Sequence, residues 1–346
     1  MEWKLSEEQA TYQETLRGWL ADVAAPETVR AWFDDADTTT FPARLAADGW
    51  LGVGVAEELG GQGGGVVELA ITAEELGRAA APAATWLGGV LAVPALGRFP
   101  DVATAWLTPA EGMLDQTPAT VRADDDGRLS GQVPRVLGAA DAATFVVAVH
   151  GASGLRLVAA DAPGVTVEPR RLLDRSRGIG DVTLSGAPSR ALAADVEDAR
   201  RRANDLAAVL VAADALGAMQ RMLDLAVEYS LQRHQFGVPI GSFQAVKHAA
   251  ATIEVAVEAA RSAVYFAAAS VDAGLEDCAL HAAAVKAQVT AQASAVADTA
   301  LTMHGAIGYT WEHDLHLLYK RARLDEQLFG PPAAWNERIA DGLALV

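Results

Sequence analysis

From Leu206 to Tyr229 apolar residues recur at helical spacing, with Leu206, Leu210, Ala213 and Gly217 falling on one face. That period predicts a buried helix. A second such run leads from Ala245 to Ala269. Between them lies Tyr229-Ser230-Leu231-Gln232-Arg233-His234-Gln235-Phe236-Gly237-Val238-Pro239-Ile240-Gly241-Ser242-Phe243-Gln244. Its Gly-Val-Pro-Ile-Gly segment breaks the chain sharply, because Gly reaches unusual dihedrals and Pro fixes one. A guanidinium, an aromatic ring and two amides are crowded at one helix–helix turn, a grip suited to a phosphate and a flat ring. On spacing alone the simpler reading is that Arg233 and Gln235 decorate a helix end while Phe236 plugs the core.

The rest of the chain falls into three stretches. Residues 5–20 alternate polar and apolar positions at helical spacing, with Ser6 as N-cap and Glu7 and Glu8 in the first turn. The glycine-dense segment 48–65 precedes a predicted helix over Val66–Ala80. No Gly-Lys-Ser/Thr follows it and no clear strand precedes it, so it reads as a structural loop that lets backbones pack closely, not as a phosphate loop. Short β-branched runs then appear at Thr144–Val149, Leu155–Val158 and Val165–Val167, separated by Gly, Asp and Pro turns. They predict antiparallel sheet. Helical periodicity returns near Val196 and continues to the end, punctuated by Gly274, Gly305–Gly308 and Gly330-Pro331-Pro332. The expected division is a helical domain over 1–102, a β-domain over 103–195 and a helical bundle over 196–346.

Composition narrows the function. With 346 residues the chain can bury a large core, and its 51% hydrophobic content is inflated by alanine. A net charge of −18 argues against a nucleic-acid partner, since phosphate backbones need a basic face. No apolar run reads as a membrane span, and the start lacks the basic and apolar regions of a signal peptide. The expected compartment is cytoplasmic, with no membrane partner. The single Cys278 excludes an internal disulfide, and no metal-ligand spacing stands out. His304 belongs to a motif described next; His234, His248 and His313 read as structural.

The order Arg-x-Gln-Phe-Gly-x-Pro-Ile-Gly-x-Phe-Gln, set between two long helices, resembles the acyl-CoA dehydrogenase family. A second block, Met303-His304-Gly305-Ala306-Ile307-Gly308-Tyr309-Thr310-Trp311-Glu312-His313-Asp314, is similar to that family's other C-terminal signature. The glycine-dense segment resembles its Gly-Trp…Glu-Glu-x-Gly-Gly-x-Gly stretch. The resemblance implies a mainly α fold with a β-domain insert: a helical N-terminal domain, a central β-barrel-like domain and a C-terminal four-helix bundle. It also implies FAD, shared between two subunits. One subunit's β-domain and bundle hold the flavin ring, and the neighbour's bundle grips the ADP half.

The neighbour-gripping half is largely intact. By resemblance Arg233 pairs with the pyrophosphate, while Gln235 and Gln244 hydrogen-bond around the phosphates and adenosine. Phe236 packs near the adenine, Gly237 completes the turn, and Gly305 and Gly308 let backbone N–H groups come close. Ala306 and Thr302 are departures, standing where the family usually has Gly and Gln. The ring half departs further. The family's hydroxyl-bearing loop corresponds to Leu107–Leu114, and its Gly-x-Lys-x-aromatic-x-Thr segment to Gly131–Leu137, with Arg135 in place of the aromatic and Leu137 in place of the hydroxyl. The catalytic carboxylate has no counterpart, because the positions that carry it in different members hold Phe329 and Ala207 here. Asp205 and Glu326 lie nearby and read as solvated or capping residues.

The combination resembles the shorter subunit of α2β2 acyl-CoA dehydrogenases of bacterial steroid side-chain catabolism. It implies a longer partner subunit that carries the base and binds most of the acyl-CoA, with an electron-transfer protein as acceptor. The alternatives are a self-sufficient homo-oligomeric enzyme with a relocated base such as Asp205, or a scaffold that has lost flavin.

Overall fold

The computed structural model describes residues 4–114, 120–149 and 154–343; Met1–Trp3, which open the segment tested for a signal peptide, lie outside them. Five helices come first: α1 (Glu7–Val23), α2 (Pro26–Asp35), α3 (Thr40–Ala47), α4 (Val66–Arg78) and α5 (Ala84–Leu96). Ser6 caps α1 as expected: its Oγ accepts from the Gln9 N–H at 3.2 Å, and Gln9 Oε1 accepts from the Ser6 N–H at 3.0 Å. The helix that begins at Val66 stops at Arg78, short of the expected Ala80, because Ala80 turns to a φ of 51°.

 At 51° that angle lies in the left-handed region, where a right-handed helix cannot continue.

Eight strands follow: β1 (Thr104–Trp106), β2 (Arg122–Ala123), β3 (Leu129–Leu137), β4 (Thr144–Ala148), β5 (Leu155–Ala159), β6 (Val165–Arg170), β7 (Ile179–Ala187) and β8 (Arg190–Leu192). They form two four-stranded sheets, ordered β1-β4-β5-β8 and β2-β3-β7-β6. Val133, Phe145, Val147, Val158 and Val182 meet in a core of their own. Pairing is antiparallel as expected except at one edge, where β1 lies parallel to β4. The chain leaves β1 for the second sheet and returns in the same direction, so the local alternation that predicts a strand does not fix its sense.

The remaining helices are α6 (Val196–Gln232), α7 (Gln244–Asp272), α8 (Cys278–His304), α9 (Leu315–Gln327) and α10 (Pro332–Gly342). Two short strands, β9 (His234–Gln235) and β10 (Val238–Pro239), sit between α6 and α7. α6 is the axis of the fold and packs against α4, α5, α7, α8 and α9. Leu210, Ala213 and Gly217 are buried on it, whereas Leu206 is only partly so. α4 and α6 cross so closely that a Cβ on Gly217 would lie 1.8 Å from the Glu74 carbonyl oxygen. α6 is long and apolar enough to cross a membrane by length and composition, contrary to expectation, yet 83% of its apolar window is buried inside the fold. The glycine-dense loop is structural in its packing, since a Cβ on Gly61 would lie 2.0 Å from the Val55 carbonyl oxygen.

Two polar devices tie the parts together. Asp272, at the end of α7, accepts the Val66 and Val67 N–H groups at 2.6 and 3.1 Å and so caps α4. Deeper inside, Arg321 grips Asp214 with two bonds of 2.7 and 2.6 Å and donates to the Ala81 carbonyl at 2.8 Å. Arg177, from the segment before β7, reaches Asp214 at 3.0 Å and Asp325 at 2.9 Å. Burial raises both carboxyls, but the two guanidinium groups outweigh it at Asp214 and hold that group at about 2. Asp325 is pushed well up by burial and by the Asp214 charge.

Candidate functional site

The turn between α6 and α7 presents its side chains outward. The Arg233 N–H closes the last turn of α6 on the Tyr229 carbonyl at 2.8 Å, and the Arg233 carbonyl accepts from the Ile240 N–H at 2.8 Å. Between them β9 and β10 pair as a two-residue hairpin whose central residues, Phe236 and Gly237, have φ of 54° and 81°. Two positive φ values suit the right-handed twist of a hairpin, and Gly237 takes its share without strain. Phe236 does not. A bulky residue in that region costs on the order of 1–3 kcal/mol, which the surroundings must hold in place.

That strain does not bury the ring. Phe236 is 93% exposed, touching Phe243 edge-on at 6.1 Å between centroids. The expectation that it plugs the core is therefore wrong; the hairpin lifts it clear of the bundle. Gln235 bonds its own neighbour, His234 O, at 2.9 Å. Among the described residues the Arg233 guanidinium has no hydrogen bond or ion pair within the chain. Gln244 is exposed at the start of α7, where Phe243 supplies no side-chain cap to a helix of 29 residues. An uncapped N-terminus and a free guanidinium at one turn form an anion-binding arrangement.

The second block joins this turn through an aromatic contact. The His304 ring is buried at the end of α8, with Nδ1 placed 2.7 Å from the Ala300 carbonyl, and it stacks on Tyr229 at 4.9 Å. His313 meets the same ring edge-on at 4.5 Å. Burial lowers both imidazoles from their usual value, and at His313 the charges of His304 and Arg221 add to it. After His304 the chain makes a short 3-10 turn, Gly305–Tyr309. Gly305 needs its glycine, with φ 63° and ψ −140°, while Gly308 is buried against His304 and Leu301. Thr302 is exposed, but its hydroxyl donates back to the Asp298 carbonyl at 2.9 Å. The structure thus couples the last turn of α6 to the end of α8.

A different picture holds for the segments matched to the flavin-ring side. The Ala110 N–H donates to the Arg135 carbonyl at 2.8 Å, and the Phe329 N–H donates to the Ala110 carbonyl at 2.6 Å. Leu107–Leu114, Gly131–Leu137 and the Phe329–Gly330 turn therefore meet, as the resemblance implies. They meet by closing on one another. Arg135 pairs with Glu111 across the top. Beneath it Met113, Leu114, Leu137 and Phe329 join the main core, Phe329 with 3% exposure. A Cβ on Gly330 would lie 2.9 Å from Met113 Cγ. Buried Lys286 fixes the turn by donating to the carbonyls of Asp325 at 3.0 Å and Gly330 at 3.1 Å, and burial pushes it down to about 8. Among the described residues, the positions matched to the family's aromatic, hydroxyl and carboxylate hold Arg135, Leu137, and Phe329 or Ala207.

The nearby acids need correction. Asp205 is not solvated: it is 3% exposed, with Arg338 Nη2 at 3.8 Å. Glu326 is half-buried and accepts from Ser294 Oγ at 2.7 Å. The sequence also gave no separate signal for Arg177 and Arg321, whose partners Asp214 and Asp325 are far away along the chain; only the fold brings them together.

Profiles of two acyl-CoA dehydrogenase domains match the chain, the N-terminal domain over residues 6–105 and the C-terminal domain over residues 201–344. Acyl-CoA dehydrogenase IpdE2 of Mycolicibacterium smegmatis is 33% identical over 339 residues, covering 97% of this chain and 98% of that protein. Among solved structures, the steroid ACAD Tcur3481-Tcur3483 is similar with a TM-score of 0.85 at 28% identity, over 98% of both chains. The ChsE4-ChsE5 complex from Mycobacterium tuberculosis gives 0.86 at 26% identity, over 100% of both. Matched at both ends and along the whole of a relative of its own length, the chain belongs to the acyl-CoA dehydrogenase family, oxidoreductases that act on CH–CH bonds.

Proposed function

We propose that the chain is the shorter subunit of a two-component acyl-CoA dehydrogenase. It grips the ADP half of an FAD whose ring end lies in a longer partner subunit, and that partner supplies the base. One observation carries this reading: the turn matched to the ADP-gripping half is open and uncommitted, while the segments matched to the ring half pack against one another. Arg233 brings positive charge to the pyrophosphate, and Gln235 and Gln244 hydrogen-bond around the phosphates and adenosine. Phe236, already paid for in backbone strain, covers the adenine and keeps water from it. Thr302, Gly305 and Gly308 form the backbone edge along which the dinucleotide lies. When bound, FAD supplies the redox chemistry, taking up hydride from the acyl group. Among the described residues, Phe329 at the matched position is apolar and Asp205 is enclosed, so neither is placed to take the α-proton.

The substrate we assign is a bulky acyl-CoA of the steroid side-chain type, held mainly by the partner, with an electron-transfer protein as acceptor. A steroid ACAD and a complex of two named chains among the similar structures support it. An α2β2 assembly fits the apolar side chains left exposed along the bundle, among them Val255, Phe266, Tyr309 and Trp311. The test is to purify the chain alone and with the longer dehydrogenase subunit, then record flavin absorbance and acyl-CoA oxidation. The chain alone should be colourless and inactive, and the complex yellow and active. A yellow, active homo-oligomer would overturn the proposal.

A further inference from the structure

A cleft of about 300 Å³ opens where α1 and α2 meet the end of α4, α6 and α9. Its floor is apolar: Leu20, Ala24, Val29, Leu225, Leu317 and Leu318 are all buried side chains that line it. None of the ring-side segments or the residues of the α6–α7 turn lines it. Three guanidinium groups stand around this floor. Arg17 is committed to Glu75 by bonds of 2.9 and 2.6 Å, and Arg78 to Asp224 at 2.6 Å. The third, Arg221, is half-buried and has no hydrogen bond or ion pair among the described residues. Its charge is instead felt at His313, which it helps to hold in the neutral form.

The two carboxylates that also line the cleft are engaged elsewhere, Glu75 with Arg17 and Asp314 with Arg30 at 3.3 Å, so Arg221 is a half-buried cation without an ion pair above an apolar floor. In a chain of net charge −18 it is a second place, besides the α6–α7 turn, where an anion meets an uncommitted guanidinium. We propose that this cleft binds a small amphipathic monocarboxylate, with its hydrocarbon on the Leu20–Leu318 floor and its carboxylate on Arg221. One planar guanidinium matches one carboxylate in a forked pair, whereas a cation would meet three arginines. The volume lies at the small end of ligand pockets, so the hydrocarbon is a short one. The site also reaches the flavin-gripping elements. Leu225 lies one helical turn before Tyr229 on α6, and Asp314, another lining residue, closes the second block. A bound acid thus braces the base of the Tyr229–His304 stack. The proposal does not depend on the two-subunit reading.

The test is calorimetric titration of the full chain, alone or in its complex, with octanoate and with 1-octanol. Octanoate should bind saturably at one site per chain, at least tenfold more tightly than octanol. Arg221→Gln should weaken octanoate at least tenfold and leave octanol unchanged, with Arg221→Lys falling between. Ala24→Leu, which fills the floor, should weaken both ligands at least tenfold and serves if the arginine variants fail to fold. Absence of saturable binding, equal affinity for the alcohol, or octanoate binding unaffected by Arg221→Gln or by Ala24→Leu would overturn the proposal.

Discussion

Replacing Arg233 by Ala separates binding from folding, because its guanidinium makes no hydrogen bond or ion pair among the described residues. The side chain is exposed, and only its backbone takes part in the turn, through Tyr229 and Ile240. Truncation therefore leaves no buried group unpaired, and stability should stay within about 0.5 kcal/mol of wild type. Cofactor binding should respond differently. A hydrogen bond to a charged phosphate contributes about 1.5–3 kcal/mol, which corresponds to roughly one to two decades in FAD affinity. Because the turn is open to solvent, raising the salt concentration should shrink the difference between wild type and variant. Arg233→Lys should recover part of the loss, keeping the charge without the planar fork. The assay is FAD content per heterodimer after dialysis against increasing salt, with thermal melting of the same samples as control. Unchanged FAD retention and turnover in Arg233→Ala would refute the reasoning. A fall of many degrees in Tm would show equally that the guanidinium has a structural partner.

Phe329→Glu should not create an active site, since Arg135 and Leu137 stand where the resemblance calls for an aromatic and a hydroxyl; the isolated variant should show no acyl-CoA oxidation. Removing a buried aromatic ring and burying a carboxyl should also cost at least about 3 kcal/mol, read from denaturant melting. Asp272→Ala should cost about 1 kcal/mol, the usual worth of an N-cap, measurable as a lower midpoint without loss of helix content. His316, boxed in by Phe33, Trp311 and Lys320, is pushed down to about 4 by burial and by the Lys320 charge. Unfolded, it titrates near its ordinary value of about 6.5, so between those values only the unfolded chain takes up the proton. Stability should therefore fall as pH drops from about 6.5 to 4, and His316→Gln should flatten that part of the profile; an unchanged slope would refute the assignment.

The helical frame was legible because its signals are local. Ser6 and Gln9 lie three residues apart, and the buried face of α6 repeats within a few turns. The glycine-dense loop was legible for the same reason, as crowding of Gly61 on Val55 happens within a handful of residues. The sense of β1 was not, since it depends on a long excursion through another sheet. Phe236 misleads a pattern reader: apolar character says inside, but two consecutive positive φ angles carry the ring outward. Asp205 misleads in the opposite direction, because a carboxylate on an ordinary helix is solvated whereas α6 is covered on nearly every side. That Phe329 and Ala207 are apolar is plain from their identities alone, whereas their burial, at 3% and 0% exposure, depends on the packing of distant elements.

The Arg177–Asp214–Arg321–Asp325 cluster bears on how such a chain can change over time. Its charges come from the sheet region and from two bundle helices, and Arg321 also holds the Ala81 carbonyl of the N-terminal region. A cut between β8 and α6 would strand Arg177 apart from both of its carboxyl partners, leaving it a buried charge without a pair. The three regions therefore hold or fail together, and the lock at the centre sets their shape independently of the side chains at Phe329 and Arg135, neither of which takes part in it.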